Sequence, residues 1–293
     1  MTAMTTPTPT AATLAVPGAT LYYETRGSGP LLLLIPGGAG DAGMYGTLAA
    51  ALADRYTVVS YDQRCMSRSR LDGPLADQEV RVWSDDARRL LDHLAPHDEA
   101  FVMGCSSGAI TALDLLARHP DRVRRTVAHE LPLLELLADP APHRALFAEV
   151  RETARTQGPG PAMARFGEGL AEGRPGDHDH GRDRGRDGHH GGELPPDLKE
   201  MAERMYANTP AFLEHVLCPF SSSAPDVSAL RRATGKLVLA VGRDSRGLEP
   251  LYGPAVRLAE LLGVGAPAEF PGGHLAAVEQ PHDFAEHLAP LLR

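Results

Sequence analysis

Cysteine is scarce in this chain. Three occur among 293 residues, Cys65, Cys105 and Cys218, and so odd and widely spaced a set builds no disulfide framework and points to a reducing compartment. Positive charge is in deficit: 29 Lys and Arg against 38 Asp and Glu leave a formal net charge of −9. With no evident basic face, nucleic acid and anionic membrane are excluded as expected partners. Long apolar runs are absent too. The longest stretch of large apolar side chains, Leu31–Ile35, has the length of a buried strand and is far too short to cross a bilayer. Residues 1–12 are rich in Thr, Pro and Ala. They lack the basic start and apolar centre of a signal peptide, and a disordered tail on a cytoplasmic protein is expected. A phosphate loop, a dinucleotide fingerprint and a fixed metal cluster are all missing, so the site is expected to work with no cofactor and no metal.

What is present is an ordinary globular composition, 43% hydrophobic and 23% charged, in a chain long enough for one α/β domain with an insertion. Leu14–Val16 and Thr20–Thr25, joined through Pro17 and Gly18, read as an opening hairpin. Leu31–Ile35 is a continuous apolar strand of the kind buried on both faces. It runs into Pro36-Gly37-Gly38-Ala39-Gly40-Asp41, a loop whose backbone N–H groups can face a ligand and whose Asp41 can cap a helix over Met44–Leu52. Tyr56–Tyr61 is the next strand. In the polar crossover Asp62–Ser69 that follows, Asp62 and Arg64 read as structural ion-pair partners rather than catalysts. Val80–Leu94 has helical periodicity, Val123–Ala128, Lys236–Val241 and Ala268–Phe270 read as strands, and Ala255–Leu262 and Phe284–Leu292 as helices. Strands alternating with helices at this spacing predict a mainly parallel sheet covered on both faces.

The chain is organised around Ala100–Leu115. The apolar run Phe101-Val102-Met103 ends in Gly104-Cys105-Ser106-Ser107-Gly108, and a helical stretch with Ile110, Leu113, Leu115 and Leu116 follows. Gly-x-Ser-x-Gly between a strand and a helix places a serine on a cramped corner with its hydroxyl exposed at the carboxyl end of a sheet. Only Ser106 satisfies the pattern; Ser107 would need glycines where Cys105 and Ala109 stand. Cys105 reads as a small packed residue. Between Leu131 and Val227 the alternation gives way to helices, over Leu133–Leu137, Ala145–Arg155, Pro196–Ala207 and Pro210–Leu217. Residues 173–192 interrupt them with Gly, Asp, Arg, His and one Pro and no large apolar side chain. Such a stretch cannot offset the entropy of ordering and is expected to be disordered; His178, His180, His189 and His190 offer only adventitious metal affinity.

Loops that follow the strands of a parallel sheet gather at one edge. Here they bring the glycine-rich turn, the elbow serine, the acidic candidates Glu130 and Asp244, and His274 within Pro271-Gly272-Gly273-His274-Leu275. The chain order nucleophile, acid, histidine resembles the α/β-hydrolase family in its esterase, lactonase and C–C hydrolase branch. The crossover Asp62–Ser69 is similar to that family's Asp-x-Arg-Gly-x-Gly-x-Ser segment, with Cys65 and Ser67 replacing glycines. The resemblance runs from Thr13 to the C-terminus. It implies an eight-stranded, mainly parallel sheet with helices on both faces, a core of residues 13–130 and 228–293, and a helical lid over 131–227.

The resemblance also implies roles. Ser106 attacks an acyl carbon, His274 takes and returns the proton, and the backbone N–H groups of Gly38 and Ser107 form the oxyanion hole. The acid stays open between two positions. Many relatives carry it three residues after the glycine ending the seventh strand, which is Ser245 here; Asp244 lies one residue early, and Glu130 directly after the sixth strand is favoured. His129, Tyr206, Asn208 and Phe212 are candidate substrate contacts, and the apolar lid residues suggest an apolar substrate. The reaction expected is cleavage of an ester or lactone of a mid-sized small-molecule acyl substrate. C–C bond hydrolysis, acyl transfer, and a non-catalytic ligand receptor on the same fold are the alternatives. A homodimer is left open.

Overall fold

The computed structural model describes residues 8–171 and 196–293. Its sheet begins with β1 (Thr10–Val16), β2 (Ala19–Arg26), β3 (Leu31–Ile35) and β4 (Thr57–Tyr61), continues through the short β5 (Arg70–Leu71), and is completed by β6 (Ala100–Cys105), β7 (Val123–His129), β8 (Leu237–Gly242) and β9 (Ala268–Phe270). The order across the sheet is β1-β2-β4-β3-β6-β7-β8-β9, with β5 paired to β2 off that path. From β4 to β9 every neighbouring pair is parallel, while β2 is antiparallel to β1, β4 and β5. The expected eight strands thus form the main path, and the two-residue β5 makes a ninth.

Alternation along the central strands builds two apolar layers. Leu31, Leu33 and Ile35 face the cluster that holds Trp83, Leu90, Leu91, Ile110 and Leu113. Leu32 and Leu34 face the other, with Tyr45, Leu48, Phe101, Phe270, Phe284 and Leu288. A strand whose side chains all enter a core on one side or the other has no polar face to spare, which is why β3 reads as an unbroken apolar run. The helices on the two faces are α1 (Gly46–Leu52), α2 (Val80–Leu94), α3 (Ser107–Arg118), then, beyond the inserted segment, α8 (Val227–Arg232), α9 (Glu249–Leu262), α10 (Ala276–Glu279) and α11 (Pro281–Leu291). Asp41 accepts the Gly43 amide at 2.9 Å and so starts the turn that leads into α1.

Between β7 and α8 run α4 (Ala141–Gln157), α5 (Pro159–Ala171), α6 (Pro196–His215) and α7 (Leu217–Ser221). Leu146, Phe147, Val150, Phe212, Leu213 and Phe220 from these helices join the same apolar cluster as α2 and α3. The Phe220 ring stands edge-on to Trp83 at 4.7 Å between centroids. None of the described helices is long and apolar enough to cross a membrane.

Among the boundaries that differ from the sequence reading, two change the layout. The tail expected over 1–12 overlaps β1, since Thr10, Ala11 and Ala12 pair with Thr25, Glu24 and Tyr23; as an edge strand with an exposed face, β1 needs little apolar content to form. The helices expected on either side of Asn208 and Thr209 are one helix, α6, which carries Pro210 inside it. Thr209 Oγ1 donates back to the Met205 carbonyl at 3.1 Å across that point. The expected disorder of 173–192, with its four histidines, lies outside the described residues.

Candidate active site

Every loop that leaves the carboxyl end of β3, β6, β7, β8 and β9 opens on one edge of the sheet, and Gly38, Ser106, Glu130, Asp244 and His274 lie in those loops. Ser106 is the first to be fixed. It adopts φ 57° and ψ −124° as the residue before α3, a conformation that costs a non-glycine side chain about 1–3 kcal/mol. The corner is held from both sides: the Ser106 amide donates to the His129 carbonyl at 3.0 Å, and its own carbonyl accepts from Ala109 and Ile110 at 2.9 and 3.1 Å. The flanking glycines are required by close approach. A Cβ on Gly104 would stand 2.2 Å from the Gly108 carbonyl oxygen, and one on Gly108 would stand 2.2 Å from that of Ile35.

His274 follows β9, and its Nδ1–H donates to Glu130 Oε2 at 2.7 Å. That bond leaves Nε2 as the ring nitrogen free to accept a proton. Cys105 Sγ donates to the His274 carbonyl at 3.5 Å, which ties the histidine's backbone to the residue preceding Ser106. Glu130 itself turns out of β7 at φ 48° and is wholly buried. Its other oxygen, Oε1, accepts the Gly242 amide at 2.7 Å from the neighbouring strand. A Cβ at Gly242 would lie 2.8 Å from that oxygen, so only glycine leaves the carboxylate its channel. Burial alone would raise the Glu130 carboxyl, but the hydrogen bond and charge of His274 outweigh it and hold the group below its usual range. The buried Ser245 hydroxyl adds a weaker pull, since it lies beside the carboxylate but outside hydrogen-bonding geometry. Asp244, the other acidic candidate, has a side chain 62% exposed, 3.7 Å from Arg243 Nε. It does not meet His274.

The remaining candidates separate clearly. Gly38 (φ 57°) donates its amide to Ser107 Oγ at 3.0 Å. The Phe212 ring lies over this loop, 3.9 Å from where a Gly38 Cβ would be. Asn208 reaches the same loop from α6: its Nδ2 donates to the Ala39 carbonyl at 3.0 Å and to Ser67 Oγ at 2.8 Å, and its Oδ1 accepts the Ser67 amide at 2.7 Å. Every polar atom of that side chain is used in holding backbone. Tyr206 is 69% exposed and lines nothing closed. His129 corrects the sequence reading outright. It points to the opposite layer, between Phe270 and Phe284 at 5.6 and 5.4 Å, with Nδ1 3.5 Å from Cys105 Sγ. Desolvation there pushes its imidazole down to about 4. Burial likewise lifts the Cys105 thiol far above its ordinary range, so it remains protonated beside the serine.

Comparison with known proteins places the chain in a family. A family model described as the alpha/beta hydrolase fold matches residues 30–167. Over 287 residues the chain is 34% identical to YraK, an uncharacterized hydrolase of Bacillus subtilis strain 168, covering 96% of this chain and 95% of that one. The chain belongs to the α/β-hydrolase family. It is also similar to the zearalenone hydrolase of Bionectria ochroleuca, 38% identical over 138 residues, which is 45% of this chain and 52% of that protein. The enol-lactonase of Burkholderia xenovorans LB400 shares the fold with a TM-score of 0.68 at 20% identity, covering 96% of this chain and 99% of its own. A thermophilic esterase from Thermogutta terrifontis does so with the same TM-score of 0.68 and 20% identity, over 98% of both chains.

Within this α/β hydrolase the crossover after β4 supports the glycine-rich loop from below. Cys65 and Ser67 take φ 66° and 45°, keeping the left-handed backbone although neither is glycine. Asp62 accepts the Ala42 amide at 2.8 Å and a fork from Arg68, whose Nε and Nη2 lie at 2.8 and 2.9 Å. Arg68 also reaches Glu24 at 3.0 Å and stacks 3.7 Å above the Tyr22 ring. Arg64 pairs instead with Asp86 through two short bonds of 2.6 and 2.7 Å. Asp62 and Arg64 are therefore structural, each with its own partner. Two contacts were not read from the sequence: Arg204 of α6 donates to buried Asp41 at 2.6 Å, and the Gln63 amide donates to the Pro36 carbonyl. A polar side chain in a crossover loop gives no sign of which distant backbone it will meet.

Proposed function

We propose that this hydrolase cleaves the ester or lactone carbonyl of a fairly apolar small molecule through an acyl-enzyme on Ser106. In this reading Ser106 Oγ attacks the carbonyl carbon while His274 Nε2 takes its proton, and the oxyanion is met by the amides of Gly38 and Ser107. The ester bond then breaks as His274 returns that proton to the leaving alkoxide. Water repeats the sequence on the acyl-enzyme and frees Ser106. Glu130 holds His274 in the productive tautomer and stabilises the imidazolium. The helices α4–α7 act as the lid, with Phe212 above the oxyanion loop.

The observation that carries the reading is the 2.7 Å bond from His274 to a buried carboxylate at the sheet edge that also carries a serine at φ 57°. The relatives named for lactone and ester cleavage support the substrate class. The test is turnover of p-nitrophenyl acetate and butyrate, followed by zearalenone as a macrocyclic lactone. Ser106→Ala is expected to abolish activity, and Glu130→Gln to lower kcat by about 10³–10⁴, as for other triad acids. A wild-type protein that neither turns over an ester nor reacts with a fluorophosphonate at Ser106 would overturn the reading in favour of a ligand receptor. Product formed only when an alcohol or amine is added would identify acyl transfer.

A further inference from the structure

Ser107 is only 4% exposed as a residue and sits at the first turn of α3. Its Oγ accepts the Gly38 amide at 3.0 Å. A hydroxyl has one proton to give and two lone pairs to offer. The amide fills one lone pair, and among the described residues no bond uses the proton. The neighbouring acceptor, the Ser107 carbonyl, is already occupied by Thr111 Oγ1 at 3.0 Å. A buried O–H with no acceptor is unfavourable, and folded proteins rarely retain one away from a ligand. This one lies a single residue past Ser106, against the loop that carries Gly38.

We infer that the Ser107 hydroxyl is a further donor to the carbonyl oxygen of the acyl group, beside the Ser107 amide and a Gly38 N–H whose single proton is shared between Ser107 Oγ and that oxygen. The inference rests on the acyl-enzyme reading above. The Gly38 N–H polarises the hydroxyl it donates to, and a hydrogen bond given to an oxygen makes that oxygen's own proton a better donor. As negative charge grows on the substrate oxygen, the Ser107 O–H strengthens its bond to it. The proton stays on Oγ, and no covalent bond forms or breaks in this contact. The Gly38 amide thereby acts on the substrate partly through Ser107, so Ser107 is a catalytic residue in its side chain as well as its backbone.

The experiment compares wild type with Ser107→Ala, Ser107→Cys and Ser107→Thr in the intact chain, with Ser106→Ala as the blank. Readouts are kcat and KM for p-nitrophenyl butyrate and the affinity of butylboronic acid, whose adduct on Ser106 places an anionic oxygen in the same position. Removing the hydroxyl as Ala, or weakening the donor as Cys, is expected to lower kcat roughly 10–100-fold with KM changed less than about twofold. Boronate affinity should fall by the same factor as kcat/KM, and Thr should recover most of both. Ala and Cys variants with wild-type kcat and boronate affinity would overturn the inference while leaving the acyl-enzyme reading intact; so would a loss confined to KM. Wild-type protein that neither turns over the ester nor binds the boronate removes the underlying reading, and the inference with it.

Discussion

His129 and Glu130 are adjacent in sequence and opposite in fate. One ends β7 inside an aromatic layer, and the other turns at φ 48° to meet His274. Sequence spacing singled out Ser106 and His274 because each lies in a short motif with its own backbone demand. It left two carboxylates open because spacing says which strand end a residue occupies and not which way its side chain leaves. It misplaced His129 for the same reason. With Asp244 standing in solvent, Asp244→Asn is expected to retain kcat within about twofold, against the 10³–10⁴ loss expected of Glu130→Gln; steady-state kinetics of the two side by side decides it. The family resemblance located the glycine positions of the crossover, yet not that Cys65 and Ser67 would keep the left-handed backbone. Cys65→Val, a β-branched side chain at φ 66°, should lower stability by about 1–3 kcal/mol in urea unfolding, while Cys65→Gly stays within about 1 kcal/mol of wild type as strain relief offsets added chain entropy.

Among the elements, α2 needed no tertiary knowledge: its apolar period predicted Val80–Leu94 and the helix spans those residues. The split expected of α6 failed because proline removes one hydrogen bond but packing decides whether a helix continues. Leu213 and Phe212 beyond Pro210 are buried in the main apolar cluster, and Asn208 before it is bound to two core loops. These contacts make α6 the clamp on the glycine-rich turn. Asn208→Ala would leave the Ser67 amide and the Ala39 carbonyl without their partner, at a cost of about 1–3 kcal/mol. We expect that loss in chemical denaturation, with Asn208→Asp recovering only the contact to the Ser67 amide. No apolar pattern announces such a clamp, since it consists of one amide reaching backbone in two places.

For the molecule as a whole, the alternation of strand and helix was enough to predict a mainly parallel sheet with its loops at one edge. What it could not supply was the electrostatic consequence of filling that interior. His129 titrates near 6.5 when unfolded and near 4 when folded. Between those values the unfolded chain holds the extra proton, so stability is undiminished above about pH 6.5 and declines as pH falls toward 4. At pH 4.5 the contribution amounts to about 2–3 kcal/mol. Urea midpoints measured from pH 7.5 to 4.5 should show that decline, and His129→Gln should flatten it. Finally, the carboxylate that meets His274 is delivered by β7, and the corner after β8 offers it a single backbone amide. Arg243 and Asp244 there are 63% and 62% exposed in their side chains. Those two positions can therefore be varied from the solvent side with the bonds among Glu130, His274 and the Gly242 amide left in place.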